Sequence, residues 1–148
     1  LLKMDDKLKK TYFILLFPSI LGFLAVCCVR AYKLFRIGPI DFMEILAPSI
    51  FVLSVILAVA LPIFYRTFFA HNRRHVESIS EMELNKFERN LIYITLVTPY
   101  LALAALLLEL PRFYTAGTIL MGIYAVYYFY PSRKRIALDR RIFRVKKI

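Results

Sequence analysis

Between Lys10 and Arg30 the chain runs without a single charged residue, and three more apolar stretches of similar length follow it. These stretches cover residues 11–29, 42–65, 91–108 and 113–130. Each holds about 18–24 residues, enough for a helix to cross a hydrocarbon core about 30 Å thick with modest tilt. A period-two alternation of apolar and polar residues is absent, which excludes a membrane β-barrel. The first stretch is too long for a cleavable signal peptide and lacks a small-x-small exit, so it is expected to stay as a span.

Composition agrees and narrows the class. Hydrophobic residues make up 60% of the 148, and mean hydropathy is +0.62, whereas soluble domains average about 45–50% apolar residues. Yet the chain also carries 21 Lys and Arg against 10 Asp and Glu, a formal net charge of +11. Charge and grease must therefore be segregated along the chain, which excludes a soluble globule, a disordered chain and a disulfide scaffold. The fold expected is all-α and integral to a membrane: four transmembrane helices arranged as two antiparallel hairpins. Residues 1–131 form the transmembrane domain, and residues 132–148 a basic cytoplasmic tail.

The cations set the orientation. Lys3, Lys7, Lys9 and Lys10 precede the first span. Arg66, Arg73, Arg74, Lys86 and Arg89 lie between the second and third, and eight more occupy the tail. Only Arg30, Lys33, Arg36 and Arg112 fall in the two remaining loops. Because Lys and Arg collect on the cytoplasmic side, both termini are expected in the cytoplasm, of a bacterial plasma (inner) membrane given the short loops. Small residues at helical spacing, Ser54 and Ala58 on the second span and Thr118, Gly122 and Ala125 on the fourth, mark expected contact faces between spans.

Two segments outside the spans have structure of their own. Ser78-x-x-Glu81 and Ser80-x-x-Glu83 both fit a helix-opening capping box, so a helix should start near Ser78 or Ser80 and run into the third span. Its plain reading is a solvated extension; the sharper one is a docking helix. In the tail, Leu138, Ile142 and Val145 recur at helical spacing among cations, the pattern of a helix lying in the interface. Arg133, Lys134, Arg135, Arg140, Arg141 and Arg144 are the candidate contacts to anionic lipid head groups, each cation adding about 1 kcal/mol near such a surface. Tyr124, Tyr127, Tyr128 and Tyr130 lead into the tail as an interfacial aromatic belt.

Catalytic chemistry finds no residue set. His71 and His75 have the i, i+4 spacing of a zinc pair, but Asn72 stands where a metalloprotease needs Glu, and no third ligand is evident. Cys27 and Cys28 are adjacent within a span and read as small apolar residues packed on a neighbouring helix. No cofactor, metal or nucleic acid is expected. The candidate ion or proton site is acidic: Asp41 and Glu44 near the start of the second span and Glu109 at the end of the third, all at the outer interface. Arg36 or Arg112 would serve as their ion-pair partner. The function expected is thus a non-catalytic membrane component, that is, a subunit, assembly factor or scaffold with membrane lipids and other membrane subunits or further copies of itself as partners. The alternative is a small oligomeric transporter or channel using Glu44 and Glu109 near its mouth, hinged at Pro18 and Pro99.

Overall fold

The computed structural model describes residues 2–32, 43–74 and 79–145, and every extended element in it is helical. Helix α1 spans Leu2–Ala31, α2 Met43–Val55, α3 Leu61–Asn72, α4 Glu81–Thr95, α5 Thr98–Leu107, α6 Arg112–Tyr128 and α7 Arg133–Ile142. Several of these join end to end into rods. Helices α2 and α3 are linked by a π-helical turn over Ile56–Ala60, and Leu61 N–H reaches back five residues to Ile56 O. The turn sits just ahead of Pro62, whose missing N–H and bulky ring are incompatible with a regular bond to the carbonyl four residues earlier. Helices α4 and α5 likewise join at Leu96–Val97, ahead of Pro99. Pro18 lies within α1, which continues through it.

Three continuous helical segments, Asp6–Ala31, Glu44–Asn72 and Glu81–Leu107, are long and apolar enough to cross a membrane. Their length and composition mark the chain as an integral membrane protein. Helix α6, with 17 residues, is the shorter fourth member of the bundle. It returns antiparallel to α5 through a tight turn in which Leu110 N–H bonds to Ala105 O at 3.2 Å. Glu109 occupies the left-handed position there, with φ 53°, the place that helix ends usually give to Gly. Leu110 then folds back onto Ala47 and Ala105.

The arrangement differs from two hairpins side by side. Helix α6 packs on α5 and α2, while the principal neighbours of α1 are α4 and α5 rather than the rod that follows it in sequence. The cause is a matching pair of stripes: Leu8, Tyr12 and Leu16 of α1, four residues apart, fit against Ile92 and Leu96 of α4. Tyr12 also donates its hydroxyl to Val126 O of α6 at 2.6 Å.

The interior of the mid-section is made largely of small residues. Ala47, Ala58, Ala102, Ala105 and Ala125 are buried along with Ser19, Ser54, Thr95, Thr98 and Thr118. All five expected contact residues, Ser54, Ala58, Thr118, Gly122 and Ala125, are among the buried ones. At Gly122 a Cβ would lie 3.5 Å from both Ala102 Cβ and Pro99 Cα, so α6 and α5 approach almost backbone to backbone. The large apolar side chains point the other way: Phe13, Phe17, Leu24, Val52, Phe64, Phe68, Leu120 and Ile123 are all exposed. Cys27 and Cys28 are exposed with them and unbonded, instead of packing on a neighbouring helix as expected; the face of α1 that meets the bundle is the one bearing Ser19, Gly22 and Val26.

Candidate functional site

The start of α1, the end of α3, the start of α4 and the end of α6 come together at one end of the bundle, and α7 docks across it. This is the basic end. Helix α4 opens as the capping box expects: Ser80 is its N-cap, and its Oγ accepts from Glu83 N–H at 3.3 Å. The helix is no solvated extension, however. Leu84, Phe87, Glu88, Leu91, Ile92 and Thr95 form a buried stripe at spacings of three and four, while Met82 is exposed. The face that could have docked a partner docks on the chain itself.

Helix α7 starts by the same device, with Ser132 Oγ accepting from Arg135 N–H at 3.2 Å. Three residues on one face, Ile136, Asp139 and Phe143, are then buried. Ile136 joins the cluster of Leu8, Tyr12, Leu16, Ile92 and Leu96. Phe143 meets Phe69 and Phe87 edge-on at 5.2 and 5.5 Å between ring centroids. Phe87 is itself stacked between Phe69 at 4.3 Å and Tyr65 at 5.2 Å. Beyond Phe143, Arg144 takes a left-handed conformation with φ 48°, and Val145 pairs with Ile79 as an isolated bridge.

Between these apolar contacts lies a cluster of buried charges. Asp139, the tail's sole acid, is fully buried and pairs with Arg66 of α3. Arg135 donates to Glu88 Oε2 of α4 at 3.0 Å and lies 3.9 Å from Asp139 Oδ2. It also sits over the Phe129 ring, 5.1 Å from its centroid. Two carboxylates thus face two guanidiniums, drawn from α3, α4 and α7. Glu88 is 1% exposed and Asp139 0%, and the two guanidiniums offset part of the cost of desolvating them. The cluster acts as a clasp: it holds the tail helix in one register on the bundle. Neither Glu88 nor Asp139 is among the expected site residues, although both carry a signal. Glu88 falls within the apolar stripe of α4, and Asp139 stands alone among eight cations.

Of the six tail cations expected to meet lipid, the structure turns two inward. Arg135 is in the clasp, and Arg140, with its side chain 18% exposed, lies 3.9 Å from Glu81. Arg133, Lys134, Arg141 and Arg144 are exposed. The expected apolar stripe divides: Leu138 and Ile142 are exposed beside those four cations, while Val145 packs against the aromatic cluster.

Of the expected acidic residues, Glu44 and Glu109 lie away from the clasp, and Ala47, one turn after Glu44, packs with Leu110, the neighbour of Glu109. Asp41 lies outside the described residues. Glu44 is exposed on the first turn of α2. Glu109 is exposed at the tight turn, with Arg30 of α1 as its partner at 4.0 Å. Arg30 also donates to Leu106 O, so it caps the end of α5 and takes the role that Arg36 or Arg112 was expected to play. Arg112 is exposed, and Arg36 is outside the described residues. His75 is outside them too, and among the described residues no group of three or more His, Cys, Asp or Glu could hold a metal ion. Comparison with protein-family models, with curated proteins and with solved structures finds no match to this chain.

Proposed function

We propose that the chain is a four-span protein of a bacterial plasma membrane with both termini in the cytoplasm. It serves as a non-catalytic component of a membrane assembly, a subunit, assembly factor or scaffold, whose tail rests on anionic lipid. The observation that carries this reading is the two-sidedness of α7. One face is clasped to the bundle through Ile136, Asp139 and Phe143, and the other turns Arg133, Lys134 and Arg141 outward around Leu138 and Ile142. A helix so fixed at the end of a bundle lies flat in the interface, with cations at head-group level and short apolar side chains entering the acyl boundary.

The fourth span in this reading is α6. Its 17 residues extend about 25 Å at 1.5 Å per residue, and exposed Tyr124, Tyr127 and Tyr128 at its end suit the interfacial belt. A component is favoured over a conduit by the buried hydroxyls. Ser19, Ser54, Thr95 and Thr118 each donate to a carbonyl of their own helix at 2.7–2.8 Å, so their protons serve the helix backbone and do not link into a hydrogen-bonded path between helices.

The test places an environment-sensitive dye at Leu138→Cys, with Cys27 and Cys28 replaced by Ser, and reconstitutes the protein in phosphatidylcholine vesicles. Adding phosphatidylglycerol should shift the dye to an apolar signal, and Arg133→Gln with Lys134→Gln, Arg141→Gln and Arg144→Gln should abolish the shift. A dye that stays aqueous at every composition overturns the lipid contact. Gentle solubilisation that yields a solitary monomer overturns the component reading.

A further inference from the structure

A second set of cations gathers away from the tail. Lys7 and Lys10 of α1 and Arg89 of α4 line a cleft of ≈ 230 Å³ with Thr11, Ile14 and Asn85. Helical spacing builds it: residues 7, 10, 11 and 14 share one face of α1, as do 85 and 89 on α4. Leu8 and Tyr12 hold the two helices together there against Ile92. Among the described residues no carboxylate pairs with Lys7, Lys10 or Arg89. The nearest acids in sequence are Asp6, which is exposed, and Glu88, which is buried in the clasp.

Two further observations indicate what would enter. Asn85 lines the cleft and its Oδ1 is buried with no donor, so a turn of the amide toward the cleft would give that oxygen the O–H or N–H group it lacks. Beneath the cations, in the direction of the bundle's middle, the same helices expose Ile14, Phe17 and Leu21 on α1 and Tyr93 and Val97 on the facing rod. Asn85 lies one turn before Arg89, toward the open end of the bundle; an acceptor outermost, cations next and apolar walls beneath are the order of groups in an anionic phospholipid whose head group carries a hydroxyl beyond its phosphate. Basic pockets between membrane helices bind such head groups.

We infer that this cleft seats one anionic phospholipid with a hydroxylated head group, of the phosphatidylglycerol type. Its phosphate lies against Lys7, Lys10 and Arg89, a glycerol hydroxyl donates to Asn85 Oδ1, and its acyl chains run down the groove between α1 and the α4–α5 rod. A zwitterionic head group would bring its own cation among three others. Phosphatidic acid has the charge but lacks the glycerol hydroxyls. The inference rests on the proposed membrane orientation, in which the basic end meets the anionic inner leaflet.

Native mass spectrometry of the intact protein in an uncharged detergent tests it, with phosphatidylglycerol, phosphatidylcholine, phosphatidic acid and free glycerol phosphate as probes. Wild type should retain phosphatidylglycerol at least tenfold more tightly than phosphatidylcholine. Lys7→Gln with Lys10→Gln and Arg89→Gln should lower that affinity tenfold or more, while the tail variant lacking its four exposed cations keeps it. Asn85→Leu should erase the preference for phosphatidylglycerol over phosphatidic acid. A triple cleft variant that binds as wild type overturns the site, as does full competition by free glycerol phosphate, which would mark a soluble ligand. Labelling of Asp6→Cys by an impermeant maleimide from outside intact cells, with Cys27 and Cys28 replaced, would overturn the orientation instead.

Discussion

In the middle of the bundle the side chains sealed from the surroundings are mostly those of Ala, Ser and Thr, with Gly122 among them and Leu16, Val26 and Leu96 the larger members. At the basic end they are Phe87, Phe129, Phe143, Tyr12 and the ion pairs of Glu88 and Asp139. The contrast follows from what each region displaces. In the mid-section a large apolar side chain gains nothing by turning inward when lipid surrounds the helix, so close backbone approach is the available source of attraction. At the end of the bundle water is the competitor, and burying aromatic area becomes favourable again. The chain thus changes its packing rule along the length of single helices: α4 is a water-type amphipathic helix, and α5, continuous with it, is a lipid-type one.

Substitutions can break or sharpen that contrast. The largest effect belongs to the clasp. Arg135→Ala removes the guanidinium bonded to buried Glu88, and breaking such a pair costs up to about 3–5 kcal/mol. The melting temperature in detergent should fall, and protease should cut the tail near residue 132, with the mid-section helices intact by circular dichroism. Smaller, and confined to the other region, is Gly122→Val. It places a branched side chain where Ala102 and Pro99 already stand at 3.5 Å from the Cβ position, and overpacking of this kind costs about 1–3 kcal/mol. Cysteine cross-linking between α5 and α6 should weaken while the tail stays protected. The smallest change is Thr98→Val. Thr98 Oγ1 is buried with no partner, so removing it should leave stability unchanged or raise it by up to about 1 kcal/mol. A clear loss of melting temperature would show that the hydroxyl has a partner of its own.

How much of this was legible in the sequence depends on the range of the interaction. The apolar stretches, the Ser80 cap and the inward faces of Ser54, Ala58, Thr118, Gly122 and Ala125 are local properties of spacing, and each can be read from a window of a few turns. The clasp cannot. Arg66 and Asp139 are 73 positions apart and Glu88 and Arg135 are 47 apart, and nothing local distinguishes an arginine that will be buried from one that stays exposed. The tail's excess of cations draws attention to Arg135 and Arg140 for their charge and away from Ile136 and Phe143. The same limit applies to Arg30: its reach to Glu109 depends on α1 lying along α4 and α5, a neighbour choice made by Leu8, Tyr12 and Leu16 and invisible in loop lengths.

The widened turn at Ile56–Ala60 bears on the clasp in a way that its position, remote from any charge, conceals. In an unbroken α-helix each residue advances about 100° around the axis, so Arg66, twelve residues past Ser54, would point about 120° away from it. A π turn absorbs one extra residue without adding to that rotation, leaving eleven effective steps and an offset of only about 20°. Ser54, buried against the mid-section, and Arg66, bonded to Asp139, can therefore both face the bundle. The turn is a phase corrector: it lets one rod obey the lipid-side packing at its start and still deliver a guanidinium to the tail at its end.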